Sequence, residues 1–424
     1  MYLEKIKEKK FSTGARVMVT PFATHDTVSF VGSIKGGSCY ARSDEFAKVH
    51  AAMLLEGTKK KSKHDIQILL DSIGASLTFA PSTERLIFSG RVRQKHFEAL
   101  LSLIAEILES PSFPSKELGI LKSRGQASLA LEAQDTHEQA TIALTRLLFT
   151  PKHPNWSEST LESKKVLKKI TAKELQKYHQ KTIDSGSLIL SVSGDVVPVK
   201  IFSLVEKHFK NLPRQKGTLF SYSKKLPHTA QRTTTPIKEK TNIDYMAGIN
   251  TGITKVHSDY IPLLLGIQIL GVPGFSGRLM NTVREKEGLT YGVYSYLSGF
   301  QYGADGYISI WSGFPKEKFA QGRAAILREI NSIVKNGPSK EEVRRHCERF
   351  TASYKVRLSN SGAFAASVHE LAAEKRPLSY IDEFPKQVSK LTEAKVTAML
   401  KKYLIPAKLS EAAAGPVEKD AFAS

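Results

Sequence analysis

Lys168–Ile183 reads KKITAKELQKYHQKTI, and Ser389–Leu404 reads SKLTEAKVTAMLKKYL. In the first stretch Thr171 and Glu174 form a capping box: the hydroxyl accepts an amide three residues on while the carboxylate reaches back to the cap. Thr392 stands 221 residues after Thr171, and further pairs extend outward from these two in the same order. Upstream, HFEALLSLIAEIL (His96–Leu108) is echoed by KFAQGRAAILREI (Lys318–Ile330), matching Phe97 to Phe319. FPSKELGILKSR is echoed by GPSKEEVRRHCER, matching Pro114 to Pro338. Earlier still, VGSIKGGS (Val31–Ser38) is echoed by AGINTGIT (Ala247–Thr254), and a helix ending at Gly57 by one ending at Gly271. Downstream, Gly194 finds Gly415. The offsets run only from 214 (Gly57 to Gly271) to 224 (Pro114 to Pro338). Six ordered matches at one spacing mean an internal duplication.

The elements of one half therefore predict those of the other. Alternation from Val17 to Lys35 predicts two strands turning near Thr24–Asp26. Ser43 caps a helix with Asp44 and Glu45 at its positive end, and Gly57 stops it. A short helix over Asp65–Ile73 and two strands, ASLTFAPS and RLIFSGRV, follow. Phe97, Leu100, Leu101, Ile104, Ile107 and Leu108 fall on one helical face. Helices continue beyond Pro111 and Pro114 through Leu148, and SLILSVSGDV is the closing strand. The fold class is α+β: two homologous domains, each a mostly antiparallel sheet with helices packed on one side. The division is 1–212, a polar and proline-bearing linker over 213–236, and 237–424.

The 424 residues are 41% hydrophobic and 24% charged, a globular composition. No apolar run is long enough to span a bilayer. The basic start has no apolar stretch behind it, so a secretory signal is not expected and the chain reads as cytoplasmic, or as exported if a leader has been trimmed. Two cysteines, Cys39 and Cys347, imply no disulfide framework. The formal charge of +21 raises the prior for an anionic partner. The lysines are nevertheless scattered, with no zinc finger, arginine-rich arm or aromatic–basic interleaving, so nucleic acid is not expected.

The chemistry-bearing stretch is Gly271–Tyr296, GVPGFSGRLMNTVREKEGLTYGVYSY. Gly271, Gly274 and Gly277 punctuate a turn, a helix is expected over Arg278–Glu287, Gly288 stops it, and alternation follows. Arg284 near the helix end and Tyr291 at the strand start are both donors able to reach one carbonyl oxygen.

With HAAMLLEGT in the first half and SGRLMNTVREKEGLTYGVYS in the second, the chain resembles the insulinase/pitrilysin family of zinc peptidases over essentially its whole length. It is similar in size to the subunits of processing-peptidase-like heterodimers. The family carries His-x-x-Glu-His before the Gly-Thr, and counting back from Gly57-Thr58 puts those positions at Lys48, Ala51 and Ala52. Its third ligand, a glutamate, falls near Ser128 or Leu129. Imidazoles at i and i+4 share one helix face and one Zn²⁺, with the intervening glutamate as base. An ammonium and two methyls supply neither ligand nor base, so no metal and no cofactor is expected in this chain. The twelve histidines contain no replacement pair at helical spacing. His50 sits beside the lost motif on another face; His346-Cys347-Glu348 point in different directions; Glu132 and Glu138 lack histidine partners.

The resemblance implies that Arg284 and Tyr291 are the family's substrate-binding pair, hydrogen-bonded to the scissile carbonyl and its oxyanion. It also implies that Gly271, Gly274 and Gly277 match a substrate-contacting loop, here shorter and containing Pro273. The expected protein is a zinc-less subunit of a heterodimeric metallopeptidase. Its expected partner is a homologous subunit bearing the zinc, and its substrate an extended peptide added to a sheet edge. The rival expectations are a non-enzymatic scaffold of the same fold and a basic module for nucleic acid or membrane surfaces.

Overall fold

The computed structural model describes residues 1–215, 222, 229–271, 277–301, 303–418 and 421–422. The strands among them are β1 (Lys7–Lys10), β2 (Arg16–Pro21), β3 (Thr27–Lys35), β4 (Ser76–Pro81), β5 (Arg85–Arg93) and β6 (Ile189–Gly194) in the first half. In the second they are β7 (Arg232–Pro236), β8 (Asn242–Asn250), β9 (Val293–Ser298), β10 (Tyr307–Pro315) and β11 (Ser410–Gly415). They form two sheets, ordered β1-β2-β6-β3-β5-β4 and β7-β11-β8-β10-β9.

Apart from the added β1, the two orders are the same. In each sheet the closing strand runs parallel to one neighbour, β6 to β2 and β11 to β7. It runs antiparallel to the other, β6 to β3 and β11 to β8, and two further antiparallel pairs complete the sheet. Gly194 and Gly415 end the closing strands at φ +147° and +132°, a region that suits glycine. A Cβ would stand 2.2 Å from the Thr27 carbonyl oxygen in one and 2.5 Å from that of Asn242 in the other. Phe97 and Phe319 each open a helix after a single 3₁₀ turn. Their rings meet Phe30 of β3 and Tyr245 of β8 at 6.1 and 6.0 Å between centroids. Thr171 and Thr392 are both N-caps, accepting from Glu174 and Lys395 amides at 3.3 Å. The duplication is thus visible in register, cap and core ring alike.

The chain divides into two compact units that are not consecutive in sequence. The first comprises 1–127, 161–220 and 354–384; the second comprises 128–160, 221–353 and 385–424. In the first unit, the helix Ser361–Ala373 from the far half covers β3 and β6, with Ser29 Oγ 3.3 Å from Ser361 Oγ and Ser33 Oγ 2.7 Å from His369 Nε2. Ser29 and Ser33 lie on the sheet face opposite Phe30, because side chains alternate along a strand. In the second unit, the helix Thr136–Leu148 from the near half covers β8 and β11. Its Ala140, Leu144 and Leu148 pack on Met246, Ala412 and Ala414. Each unit thus has the expected helix layer on one face and one exchanged helix on the other. The linear division at 213–236 does not follow this exchange. Nor is that stretch wholly a linker: its last five residues, the threonine-rich RTTTP, are β7, paired in parallel with β11.

Candidate functional site

The helix Asp44–Met53 is capped by Ser43, whose Oγ accepts the Phe46 amide at 3.0 Å. Its inward stripe carries Phe46, Ala47, Val49, His50 and Ala51, while Lys48 and Ala52, four residues apart, face outward. The two positions where imidazoles would share a metal are an ammonium and a methyl, and Ala51 is a buried methyl. The helix Ser115–Glu132 supplies no carboxylate in their place. Where it passes the first helix it presents Gly125, on which a Cβ would lie 3.8 Å from Glu45 Oε1 and 2.9 Å from Leu167 Cδ2. Ser128 is exposed and Leu129 buried. The residues present do not fit a zinc ion. Among the described residues no group of three or more histidines, cysteines or acids is placed to hold a metal.

His50 belongs to the core instead. Fully buried, its Nε2 lies 3.1 Å from Nδ1 of His179, whose Nε2 lies 2.8 Å from the Leu108 carbonyl oxygen. A carbonyl only accepts, so His179 carries its proton on Nε2 and takes the His50 Nε2–H on Nδ1. Burial pushes both imidazoles toward the neutral form, His179 down to about 4 and His50 well below its ordinary value, with His179 beside it adding to the latter. The other candidate triplet is split: Cys347 is buried with Sγ 3.3 Å from the Val388 carbonyl, whereas Glu348 pairs with Arg344 at 2.8 Å. Glu132 ends one helix and Glu138 lies in the first turn of the next.

The second-half stretch is built differently from the expected α-helix. The helix Tyr260–Gly271 precedes it; Gly274 lies outside the described residues, and Gly277 is buried. Met280–Lys286 then winds as a π-helix, a form that recurs at functional sites. Its entry is clamped by Arg278, whose Nε and Nη2 each lie 2.7 Å from the Glu342 carboxylate, with Nη2 also donating to the Gly337 carbonyl at 3.1 Å. Burial opposes charge on Glu342, yet the Arg278 guanidinium and the Ser339 amide hold its carboxyl down to about 2. Its exit is closed by Gly288 at φ +60°, whose amide donates to the Arg284 carbonyl at 3.0 Å. Wider winding moves each side chain off the 100° step of an α-helix, so sequence spacing alone misplaces the direction of Arg284. The Arg284 guanidinium is about one third exposed, with Nε 3.5 Å from Glu285 Oε1.

Tyr291 stands two residues before β9 and is 89% exposed. The backbone on both sides of it is anchored: buried Thr290 places Oγ1 2.5 Å from the Gly313 carbonyl oxygen and accepts the Gly292 amide at 3.1 Å. A phenol held almost wholly in solvent on a pinned backbone is well placed to meet something other than its own chain. Sequence reasoning missed the Arg278–Glu342 clamp and the Thr290 anchor. The PSKEE pattern after Gly337 was the one signal for the former, since Glu342 there occupies a helix first turn.

Comparison with known proteins places the fold in a family. The family described as Insulinase (Peptidase family M16) matches residues 17–150, and the Peptidase M16 inactive domain matches residues 169–350. A non-peptidase homolog, YmxG of Helicobacter pylori, is 22% identical over 315 residues, covering 73% of this chain and 71% of that one. An uncharacterized zinc protease, YmxG of Bacillus subtilis, is 24% identical over 314 residues, covering 73% and 74%. The crystal structure of a peptidase M16 inactive domain from Pseudomonas fluorescens matches with a TM-score of 0.89 at 25% identity, covering 97% of this chain and 98% of that one. With a duplicated α+β fold, a motif helix bearing Lys48, Ala51 and Ala52, and these matches across both halves, the chain belongs to the insulinase (M16) peptidase family.

Proposed function

We propose that the chain is the zinc-less subunit of a heterodimeric metallopeptidase, presenting Arg284 and Tyr291 to the carbonyl of a peptide bound at the active site of a homologous, zinc-bearing subunit. The observation that carries the reading is Tyr291, 89% exposed between two anchored residues, beside a π-helix that bears Arg284. The phenol and the guanidinium donate; the substrate oxygen accepts, and accepts more strongly as it gains negative charge. Metal, water and base belong to the partner. Gly271 and Gly277 would add backbone contacts to the peptide.

The test is reconstitution with a homologue that carries His-x-x-Glu-His, followed by cleavage of a fluorogenic peptide. The reading requires the pair to cleave, this chain alone not to cleave, and Arg284→Ala with Tyr291→Phe to lower the rate of a complex that still assembles. Full activity in the double variant would leave a scaffold, the reading favoured by the non-peptidase homolog among the relatives.

A further inference from the structure

The cross-strand register aligns the two units residue by residue and exposes an exchange of charge between them. In the second unit one row across the sheet is Thr235–Ala414–Asp244–Gly313. The equivalent row in the first unit is Thr20–Ser193–Ser29–Arg91. Asp244 sits at the N-terminus of the exchanged helix Thr136–Leu148, itself capped by Asp135. Its carboxylate accepts from the Thr136 hydroxyl and from Trp311 Nε1, each at 2.5 Å, with His137 Nδ1 3.7 Å away. Positive helix ends favour an anion there.

The first unit keeps the receiver and lacks the carboxylate. The helix Ser361–Ala373, capped by Asn360, presents Ser361 where the other presents Thr136. Serine replaces aspartate at position 29, and arginine replaces glycine at position 91. Beside these residues lies a cavity of about 520 Å³, lined by Ser29, Val31, Arg91, Ser361, Gly362 and Phe22 among others. Arg91 is exposed; its guanidinium donates to the Thr27 hydroxyl at 3.2 Å and has no carboxylate partner among the described residues. Next to Ser29 in the row, on the same sheet face, the hydroxyls of Ser193 (0% exposed) and Thr20 (1% exposed) have no hydrogen-bond partner among the described residues. The nearby acid Asp195 is taken up by the amides of Thr24 and Asp26.

We propose that this cavity binds a small organic carboxylate, its oxygens held by Arg91, Ser29 and the first turn of Ser361–Ala373, in the place that Asp244 fills covalently in the other unit. A volume of this size holds a body of several carbons behind the carboxylate, against Val31 and Phe22.

Titration calorimetry of the full chain with succinate, and separately with inorganic phosphate, tests it. Succinate binds saturably to the unaltered chain. Ser29→Asp restores the tethered carboxylate and abolishes binding. Arg91→Gln, at an exposed position that leaves folding intact, weakens binding about tenfold through loss of a charge-assisted hydrogen bond. Absence of saturable succinate binding, succinate binding equal in Arg91→Gln, or binding of phosphate in place of succinate each overturns the proposal. If Ser29→Asp fails to fold by circular dichroism, the Arg91→Gln titration decides alone.

Discussion

Nε2 of His50 lies 3.1 Å from Nδ1 of His179, and neither ring is able to take up a proton without breaking this line or burying a charge. Both imidazoles titrate below their ordinary value in the folded chain, His179 at about 4. Between that pH and about 6.5 the unfolded chain therefore binds more protons than the folded one, so stability rises with pH over this window. It is fully present above about pH 6.5 and is lost as the pH falls toward 4. Melting temperature measured from pH 7.5 to 4 should decline below 6.5. The double variant His50→Leu/His179→Gln should decline less steeply, with His369, held down to about 3 by its burial and the Arg85 charge, supplying part of the remaining slope.

Lys48, Ala51 and Ala52 offer no ligand, so the purified chain should carry no stoichiometric zinc. Elemental analysis after dialysis against free zinc and then buffer checks this, and EDTA should leave the melting temperature unchanged. One tightly held zinc per chain would contradict the reading of the motif helix.

For the reconstituted pair, Arg284→Ala should lower kcat about 10²-fold, the scale of one lost oxyanion donor. Tyr291→Phe should cost less, since a neutral donor is weaker than a charged one. The double variant should be little worse than Arg284→Ala because both donors serve one oxygen. KM should move little, and gel filtration should show the complex intact.

Gly194→Ala and Gly415→Ala should each destabilise by well over ~1 kcal/mol, because left-handed φ and a backbone oxygen within 2.5 Å act together. Urea denaturation reads the loss. Thr171→Ala and Thr392→Ala should each cost about 1 kcal/mol. Thr171 should cost more, since Glu174 closes a capping box there while Lys395 stands at that place after Thr392.

Local chemistry explains which parts were legible in the sequence. Caps such as Thr171, strand ends such as Gly194 and core rings such as Phe97 act through neighbours close in the chain, and each appears twice. Arg278, at the entry to the π-helix that bears Arg284, meets Glu342 64 residues away, and the turn of sequence around Arg284 holds no trace of that contact. The exchange of helices was hidden for another reason. The apolar stripe of Ala140, Leu144 and Leu148 shows that the helix covers a sheet, and the two sheets, being copies, look alike from that stripe. The short strand β7 was hidden by its own composition, as threonines and a terminal proline read equally as linker.

The exchange of Thr136–Leu148 and Ser361–Ala373 makes the chain indivisible in a way its repeat conceals. A gene cut between the halves would encode two fragments, each with one sheet face stripped of its cover and one orphan helix. Separately, each fragment would be a sticky half-protein; together, each would supply the lid the other lacks. A single protease nick near residue 215 should therefore leave an intact, non-covalently joined molecule, whereas neither half should be obtainable alone in soluble form.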